Sequence, residues 1–273
     1  MFKRHFILLL HGGPGLHGYM HTLGDFLPRE YAVHCYAQRG SVANPKTLDG
    51  LGLNAHFNDI DDIIAKHGQG KSITLIGHSW GAALALLYAA HRRSSVHQVI
   101  ALGTAPLTLE LAHRFEEDLR ARLPAQVLSE IDALEQAMKQ ALADEDASRL
   151  NALANRRLAL LTPAYHHSHA AHGKLPEVEL NFTGFLESQN ALWALITAGE
   201  IAARLQAVDV PVLSIHGFND PIPCDETHRL FNTLLPRVHC HTLPQCGHFP
   251  WLEPAAQARS VELIEQAIES LDV

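Results

Sequence analysis

Short runs of apolar and β-branched residues alternate with segments of helical periodicity along this chain. The runs end at Gly, Pro, Asn or polar residues, as strands do, and they lie at 6–10, 32–37, 72–76, 96–102, 210–215 and 238–243. Helices are predicted at 56–66, 82–90, 225–234 and 255–270. The last helix is the clearest, because Val261, Ile264 and Ile268 recur on one face. Strands that alternate with helices predict an α/β fold with a mostly parallel, doubly wound sheet.

One long region breaks this alternation. From 107 to 200 the sequence shows no convincing strand, only helical segments rich in Ala, Leu, Glu and Arg. An all-helical insertion between two parts of a parallel sheet is typical of a lid over the strand ends, where such sheets bind ligands. We therefore predict an α/β core at 1–106 and 201–273 and a helical cap at 107–200.

Composition narrows the class of protein and its partners. The 273 residues are 47% hydrophobic and 18% charged, which provides a core and excludes wholesale disorder. The net charge of −8 with neutral histidine offers no basic excess for nucleic acid. No apolar stretch has the length of a membrane span or an export signal. Four scattered cysteines without a CxxC pair fit a reducing compartment. We expect a cytoplasmic protein without nucleic acid or membrane partners, of open oligomeric state.

A serine between glycines follows the third predicted strand. The segment Gly-His-Ser-Trp-Gly at 77–81 matches G-x-S-x-G and opens the next predicted helix. Glycines on both sides permit the strained turn that lifts a serine hydroxyl into a cleft. The helix N-terminus behind the serine favours negative charge that develops there. Ser79 is therefore the predicted nucleophile.

A nucleophilic serine needs a base, and the base needs an orienting acid. Asp220 follows the predicted strand at 210–215, and His248 follows the one at 238–243. Either residue alone has an ordinary explanation, since Asp before Pro forms turns and the chain has 20 histidines. Because both follow successive strands after the serine turn, we predict that Ser79, Asp220 and His248 form a catalytic triad.

The loop after the first strand, His-Gly-Gly-Pro-Gly at 11–15, is the third candidate element. Adjacent glycines leave backbone N–H groups accessible, which an oxyanion hole requires. Taken alone, a tight turn without a catalytic task explains it equally well. A phosphate-binding loop is the rival interpretation, but it is weakly supported. Gly13, Gly15 and Gly18 match GxGxxG without a predicted helix after them, and Gly-Lys-Ser at 70–72 lacks the first glycine of G-x-x-x-x-G-K-[ST]. Together with the serine turn, the loop predicts the Gly13 and Trp80 amides as the two oxyanion donors.

These segments resemble the α/β-hydrolase superfamily: HGGPG at 11–15, GHSWG at 77–81, GFNDP at 217–221 and CGHFPWLEP at 246–254. HGGPG with a Trp after the serine is similar to the proline iminopeptidase branch, although that branch usually has Gly in place of His78. The resemblance implies hydrolysis of an ester or amide without a metal or cofactor. In the iminopeptidase branch it implies removal of an N-terminal residue, preferentially proline. The family's triad falls on Ser79, Asp220 and His248.

The cap leaves the substrate open. Iminopeptidases hold the substrate amino group with cap glutamates, and Glu187 is similar to one of these, while Trp193 is a candidate for the cleft wall. A solvated helical glutamate and a core tryptophan are the alternative interpretations. We predict a serine hydrolase that acts on a small-molecule or short-peptide substrate through an acyl-enzyme. It is either an aminopeptidase of the iminopeptidase type or a carboxylesterase. A non-catalytic ligand-binding protein on the same scaffold is a minor alternative.

Four histidines cluster in the predicted cap, at positions 166, 167, 169 and 172 of the segment 165–172. A structural zinc site needs three or four nitrogen or sulfur ligands with supporting hydrogen bonds. No cysteine lies near this segment, and its histidines show no clear periodicity. We expect no metal and no cofactor, and the sequence leaves the role of the segment open.

Overall fold

A computed structural model of the chain describes residues 4–45, 50–92, 95–168 and 175–272. In these residues the strands are β1 (His5–Leu10), β2 (Ala32–Cys35), β3 (Ser72–His78), β4 (Gln98–Leu102), β5 (Val212–Gly217) and β6 (Val238–Leu243). They form one six-stranded sheet in the order β2-β1-β3-β4-β5-β6, and every neighbouring pair is parallel. The predicted parallel α/β sheet is confirmed, because each predicted strand overlaps an observed one.

Helices occupy the connections between the strands. They are α1 (His21–Gly24), α2 (Leu53–His67), α3 (Trp80–His91), α4 (Leu109–Ala121), α5 (Ala125–Ala143), α6 (Ala147–Leu161), α7 (Phe182–Thr197), α8 (Ile201–Gln206), α9 (Cys224–Leu234) and α10 (Gln257–Glu269). A 3-10 turn at Thr162–Tyr165 continues from α6, and another at Ser270–Asp272 follows α10.

Strand β1 shows how the sheet is covered on both faces. Phe6 and Leu8 pack in one core cluster with side chains of α2 and α3, whereas Ile7 and Leu9 pack in a second cluster with side chains of α1 and α10. Successive side chains of a strand point to opposite faces. A strand between two helical layers is therefore apolar at every position, which explains the uninterrupted run in the sequence.

Helix α3 lies in the centre of the first layer. Its residues from Trp80 to Ala89 are all buried, as expected for a helix that is apolar on every side. It continues directly from the turn after β3, so its position fixes the direction in which that turn points. Among the described residues, no helix is both long and apolar enough to cross a membrane.

The described residues between β4 and β5 form helices joined by loops and contain no strand. Side chains of α5 and α6, among them Met138 and Leu150, form one small cluster with Leu180, and a second small cluster contains Ile131 and Leu161. Helix α7 differs, because Leu192 belongs to the large core cluster with α3. The inserted helices predicted from the sequence are thus present. The exact limits of the cap, 107 and 200, stay a prediction.

Candidate active site

The turn between β3 and α3 holds Ser79 in a strained conformation. Its φ is 54° and its ψ is −118°, a region that residues with a side chain rarely adopt. The Ser79 amide donates a hydrogen bond to the Leu102 carbonyl at 2.9 Å. A Cβ at Gly77 would lie 2.2 Å from the Gly81 carbonyl oxygen, and one at Gly81 would lie 2.0 Å from that of Leu10. Only glycine at both positions permits this turn.

The loops after β5 and β6 bring Asp220 and His248 together. His248 Nδ1 lies 2.7 Å from Asp220 Oδ2, and both side chains are buried. Asp220 Oδ1 accepts the Ile222 amide at 2.8 Å, which fixes the plane of the carboxylate. His248 Nδ1 therefore donates to Asp220, and Nε2 is the ring nitrogen left for proton transfer.

A second histidine holds the same carboxylate oxygen. His216 Nε2 lies 3.1 Å from Asp220 Oδ2 and 3.1 Å from the Ile222 carbonyl oxygen. Both oxygens are acceptors, so Nε2 of His216 carries the proton. Burial acts to raise the pKa of Asp220, but the charges and hydrogen bonds of His248 and His216 outweigh it and hold this pKa below its ordinary value. Asp220 is therefore a carboxylate at neutral pH.

A chain of buried hydrogen bonds connects the loop after β1 to the loop of His248. The Gly12 amide donates to the Tyr19 hydroxyl at 2.5 Å, and that hydroxyl lies 2.7 Å from His78 Nδ1. His78 Nε2 lies 2.9 Å from the His248 carbonyl oxygen. The amide can only donate and the carbonyl can only accept, so Tyr19 donates to Nδ1 and His78 donates through Nε2.

This hydrogen-bond chain requires a neutral His78. Burial, followed by the nearby His248, lowers the pKa of His78 well below its ordinary value. Burial likewise raises the pKa of Tyr19, so the hydroxyl keeps the proton that it donates. The chain thus has a single direction of donation at neutral pH, and it joins the residue before Ser79 to the backbone of His248.

A second buried network supports the loop at 11–15. The Gln38 amide donates to His11 Nε2 at 3.0 Å, and Gln38 Nε2 donates to the His11 carbonyl at 2.8 Å. The indole of Trp80 donates to Gln38 Oε1 at 3.1 Å. Burial lowers the pKa of His11 to about 4. These contacts place Gly12 beside the nucleophile candidate, because a Cβ at Gly12 would lie 2.7 Å from Ser79 Cβ.

The two predicted oxyanion donors lie near Ser79. Gly13 lines the same cavity as Ser79 and His248. Trp80 is the first residue of α3, so no carbonyl of its own helix accepts its amide. The structure brings both backbone segments to one end of the sheet, and their role as oxyanion donors stays a prediction.

Ser79 and His248 open into a cavity of about 170 Å³ between the sheet and the inserted helices. Its described wall is predominantly apolar. It is formed by Gly13, Leu16, Tyr19, His78, Ser79, Met138, Ala154, Arg157, Leu158, Leu161, Thr162, Tyr165, Leu175, Val178, Leu180, Phe182, Phe185, His248 and Phe249. Arg157 is the one Asp, Glu, Lys or Arg side chain among these described residues.

The two predicted substrate-binding residues lie elsewhere. Glu187 is exposed on α7, and Trp193, on the same helix, is half-buried against the large core cluster. Neither belongs to the described wall of the cavity. The structure therefore does not bring Glu187 or Trp193 to Ser79, and their predicted contact with substrate gains no support from it.

The sequence model of the α/β hydrolase fold matches residues 6–255. The chain belongs to this family. Among curated relatives, the proline iminopeptidase of Elizabethkingia meningoseptica is 28% identical over 134 residues, which cover 47% of this chain and 45% of that protein. The chain thus matches less than half the length of this relative.

Solved structures of the α/β hydrolase fold resemble the chain over almost its whole length. The proline iminopeptidase of Mycobacterium smegmatis has a TM-score of 0.63 at 21% identity, over 96% of this chain and 89% of that one. A thermophilic esterase from Thermogutta terrifontis has a TM-score of 0.69 at 17% identity, over 98% and 90%. At these identities the likeness shows the fold alone.

In this α/β hydrolase, the described part of the histidine-rich segment is attached to the loop of His248. The Tyr165 carbonyl accepts the His248 amide at 2.7 Å. The buried carboxylate of Glu253 accepts the amides of His167 at 2.7 Å and Gly247 at 3.2 Å. His169 and His172 lie outside the described residues, within which no group of three or more His, Cys, Asp or Glu is arranged for a metal.

Sequence reasoning missed Tyr19, His216 and Arg157. His216 carried a usable signal, because a histidine four residues before an aspartate at a strand end can reach its carboxylate. Tyr19 and Arg157 carried none, since the site partner of Tyr19 is 59 residues away in the chain and the position of Arg157 depends on how the inserted helices pack.

Proposed function

We propose that this protein is a serine hydrolase that cleaves carboxylic esters with a compact apolar acyl group. The observation that carries the proposal is the position of Ser79 and His248 on the wall of a predominantly apolar cavity, with His248 Nδ1 2.7 Å from Asp220 Oδ2. The cavity volume of about 170 Å³ is close to that of an engineered cavity of roughly 150 Å³ that takes up benzene. Short and medium acyl chains are therefore the expected substrates.

In the proposed mechanism, His248 Nε2 removes the Ser79 proton as Oγ attacks the ester carbonyl carbon. The oxyanion that forms accepts hydrogen bonds from the Gly13 and Trp80 amides. His248 then gives its proton to the leaving alcohol, and the C–O bond breaks to leave an acyl-enzyme. Water, deprotonated by His248, attacks the acyl-enzyme and releases the acid and free Ser79. Asp220 stabilises the imidazolium in both steps.

The aminopeptidase alternative is supported by the HGGPG loop and by the names of the curated relatives. An aminopeptidase binds a protonated amine, and a buried ammonium is costly without a carboxylate partner. The described cavity wall offers no carboxylate, and its charged side chain, Arg157, has the same sign as the amine. This electrostatic mismatch favours an ester over an N-terminal residue of a peptide.

A parallel substrate panel tests the choice. We expect p-nitrophenyl acetate, butyrate and hexanoate to be hydrolysed, with prolyl and alanyl p-nitroanilides turned over at least about 100-fold more slowly. Ser79→Ala should remove the ester activity. Ser214→Ala is the matched control, because its hydroxyl is buried in β5 and has no hydrogen-bond partner among the described residues. Anilide turnover above ester turnover would favour the aminopeptidase.

A further inference from the structure

A charged side chain in the same cavity points to a determinant of substrate specificity besides the apolar wall. Resting on the proposed ester hydrolysis, we propose that Arg157 binds a carboxylate on the substrate. The preferred substrates are then esters that carry a free carboxylate at a distance from the scissile bond, such as monoesters of dicarboxylic acids.

The guanidinium of Arg157 is only partly used by its protein partner. Nε and Nη2 both lie 2.8 Å from one oxygen of Glu135, Oε1. That pair leaves Nη1, with two N–H groups, outside the ion pair, since a guanidinium has five donors. Arg157 is also half-buried and lines the cavity of Ser79. It can therefore bind Glu135 and a substrate carboxylate at the same time.

Tyr165 lies near both Arg157 and His248. The rings of Tyr165 and His248 are 5.2 Å apart, and Tyr165 also lines the cavity. Arg157 is close enough to act on the Tyr165 hydroxyl, because its charge opposes the rise that burial causes in the pKa of that group. Arg157 and His248 thus lie near the same aromatic ring, on the wall of one cavity.

The neighbouring arginine shows what a purely structural pair looks like here. Arg156 pairs with Glu130 at 2.6 Å and connects the same helices, α6 and α5, but both side chains are exposed and neither lines the cavity. Exposed pairs of this kind contribute little to stability. Connecting α5 to α6 therefore does not require a cation in the cavity wall, which is predominantly apolar.

The apolar wall should strengthen an ion pair between Arg157 and a charged substrate group. A hydrogen bond between ionised groups is about twice as strong as one between neutral groups, and charge attraction grows as water is excluded. A neutral ester group at that position can accept a hydrogen bond from Nη1 but forms no ion pair with it. An ester with a carboxylate beyond the apolar part of its chain gains an ion pair at Arg157 while its carbonyl lies at Ser79.

The test compares 4-methylumbelliferyl hydrogen adipate with its neutral counterpart, in which the free carboxylate is a methyl ester. Release of the fluorophore gives kcat/KM for both. The wild-type protein should prefer the acid at least about 10-fold. Arg157→Gln should abolish that preference but retain turnover of the neutral ester, and Arg157→Lys should restore part of it. Arg156→Gln is the matched control and should keep the full preference.

A second pair of probes places the carboxylate on the alcohol side: 3-(butyryloxy)benzoate and its methyl ester, followed by product analysis. A preference for either acid that disappears in Arg157→Gln and persists in Arg156→Gln supports the proposal and tells which half of the substrate meets Arg157. No preference in either pair, or equal loss in both variants, overturns it. Turnover of neutral esters separates the two proposals, because its absence would refute ester hydrolysis itself.

Discussion

The strand ends and the wall of the predicted cap differ in their buried polar side chains. At the strand ends, Asp220, His78 and His11 are buried, and each bonds to another segment of the site. In the described part of the predicted cap, the cavity wall is predominantly apolar, and Arg157 is its one Asp, Glu, Lys or Arg side chain. The first region has one arrangement that satisfies its hydrogen bonds. The wall of the predicted cap has a single charged side chain, so its residues can be replaced without breaking the hydrogen bonds at the strand ends.

The difference separates chemistry from specificity in the proposed enzyme. A buried polar group that loses its partner costs about 1–3 kcal/mol, so changes in the loops should lower kcat and stability together. Apolar side chains in a cavity wall accept replacement by others of similar volume at smaller cost. Changes in the cap should therefore act on substrate preference.

The largest effect is expected from Asp220→Asn. The amide has no charge to stabilise protonated His248, and its NH₂ group favours the wrong tautomer of the ring. By analogy with serine proteases, kcat for p-nitrophenyl butyrate should fall roughly 10³- to 10⁴-fold. Steady-state kinetics and circular dichroism together check this. A variant that keeps more than a tenth of the wild-type kcat would remove Asp220 from the mechanism.

Removing the Tyr19 hydroxyl should have the next largest effect. Tyr19→Phe leaves the Gly12 amide and His78 Nδ1 without their partner. We expect kcat to fall about 10- to 100-fold with little change in KM, and the free energy of unfolding to fall by about 1–3 kcal/mol.

Tyr36→Phe is the matched control, because the Tyr36 hydroxyl is buried without a hydrogen-bond partner among the described residues. Its kinetics and stability should stay close to wild type. Equal effects of the two substitutions would show that the chain from Gly12 to His248 has no positioning role.

Stability should fall in mild acid because buried histidines must stay neutral. Burial lowers the pKa of His11 to about 4 and that of His56 to about 3, against about 6.5 in an unfolded chain. Between these values the unfolded chain binds more protons. The free energy of unfolding should thus decrease as pH falls from about 6.5 to 4.5, by roughly 2–3 kcal/mol for each histidine.

Guanidinium unfolding at pH 7.0, 6.0 and 5.0 measures this slope. His56→Gln should make the slope shallower, since glutamine does not titrate and can still bond to Ser188, the present partner of His56 Nε2 at 3.1 Å. A free energy of unfolding that stays constant or rises down to pH 5.0 would contradict the assignment of neutral buried histidines.

The smallest effect is expected from Glu187→Gln. Glu187 is exposed and lies outside the described cavity wall, so kcat/KM for esters and for aminoacyl anilides should change less than about twofold. Parallel assays on both substrate classes check this. Selective loss of anilide turnover would restore Glu187 as an amine-binding residue and weaken the division between loops and cap.

What the sequence could predict follows from how local each feature is. The strands and the Ser79 turn depend on neighbouring residues: an apolar run buried on two faces, and glycines at 77 and 81 where a Cβ would collide with backbone. The Asp220–His248 contact followed from the rule that parallel strands end at one edge. In the structure, His248 Nδ1 lies 2.7 Å from Asp220 Oδ2, as that rule leads one to expect.

The cavity could not be predicted in the same way. Arg156 and Arg157 are adjacent on an amphipathic helix, yet their side chains are 56% and 29% exposed. Which one meets solvent and which one meets a cavity depends on how α5, α6 and α7 pack. The same limit applies to Glu187, which the sequence suggests as similar to an amine-binding glutamate but which is exposed and lies outside the described cavity wall.

The central claim is that Ser79 is an activated nucleophile. Treatment with a fluorophosphonate, followed by intact-mass measurement and peptide mapping, tests it without knowledge of the substrate. We expect one adduct, located on Ser79, with loss of ester hydrolysis in proportion to labelling and no adduct in Ser79→Ala. An unlabelled wild-type protein, or an adduct on another residue with ester hydrolysis unchanged, would contradict the account.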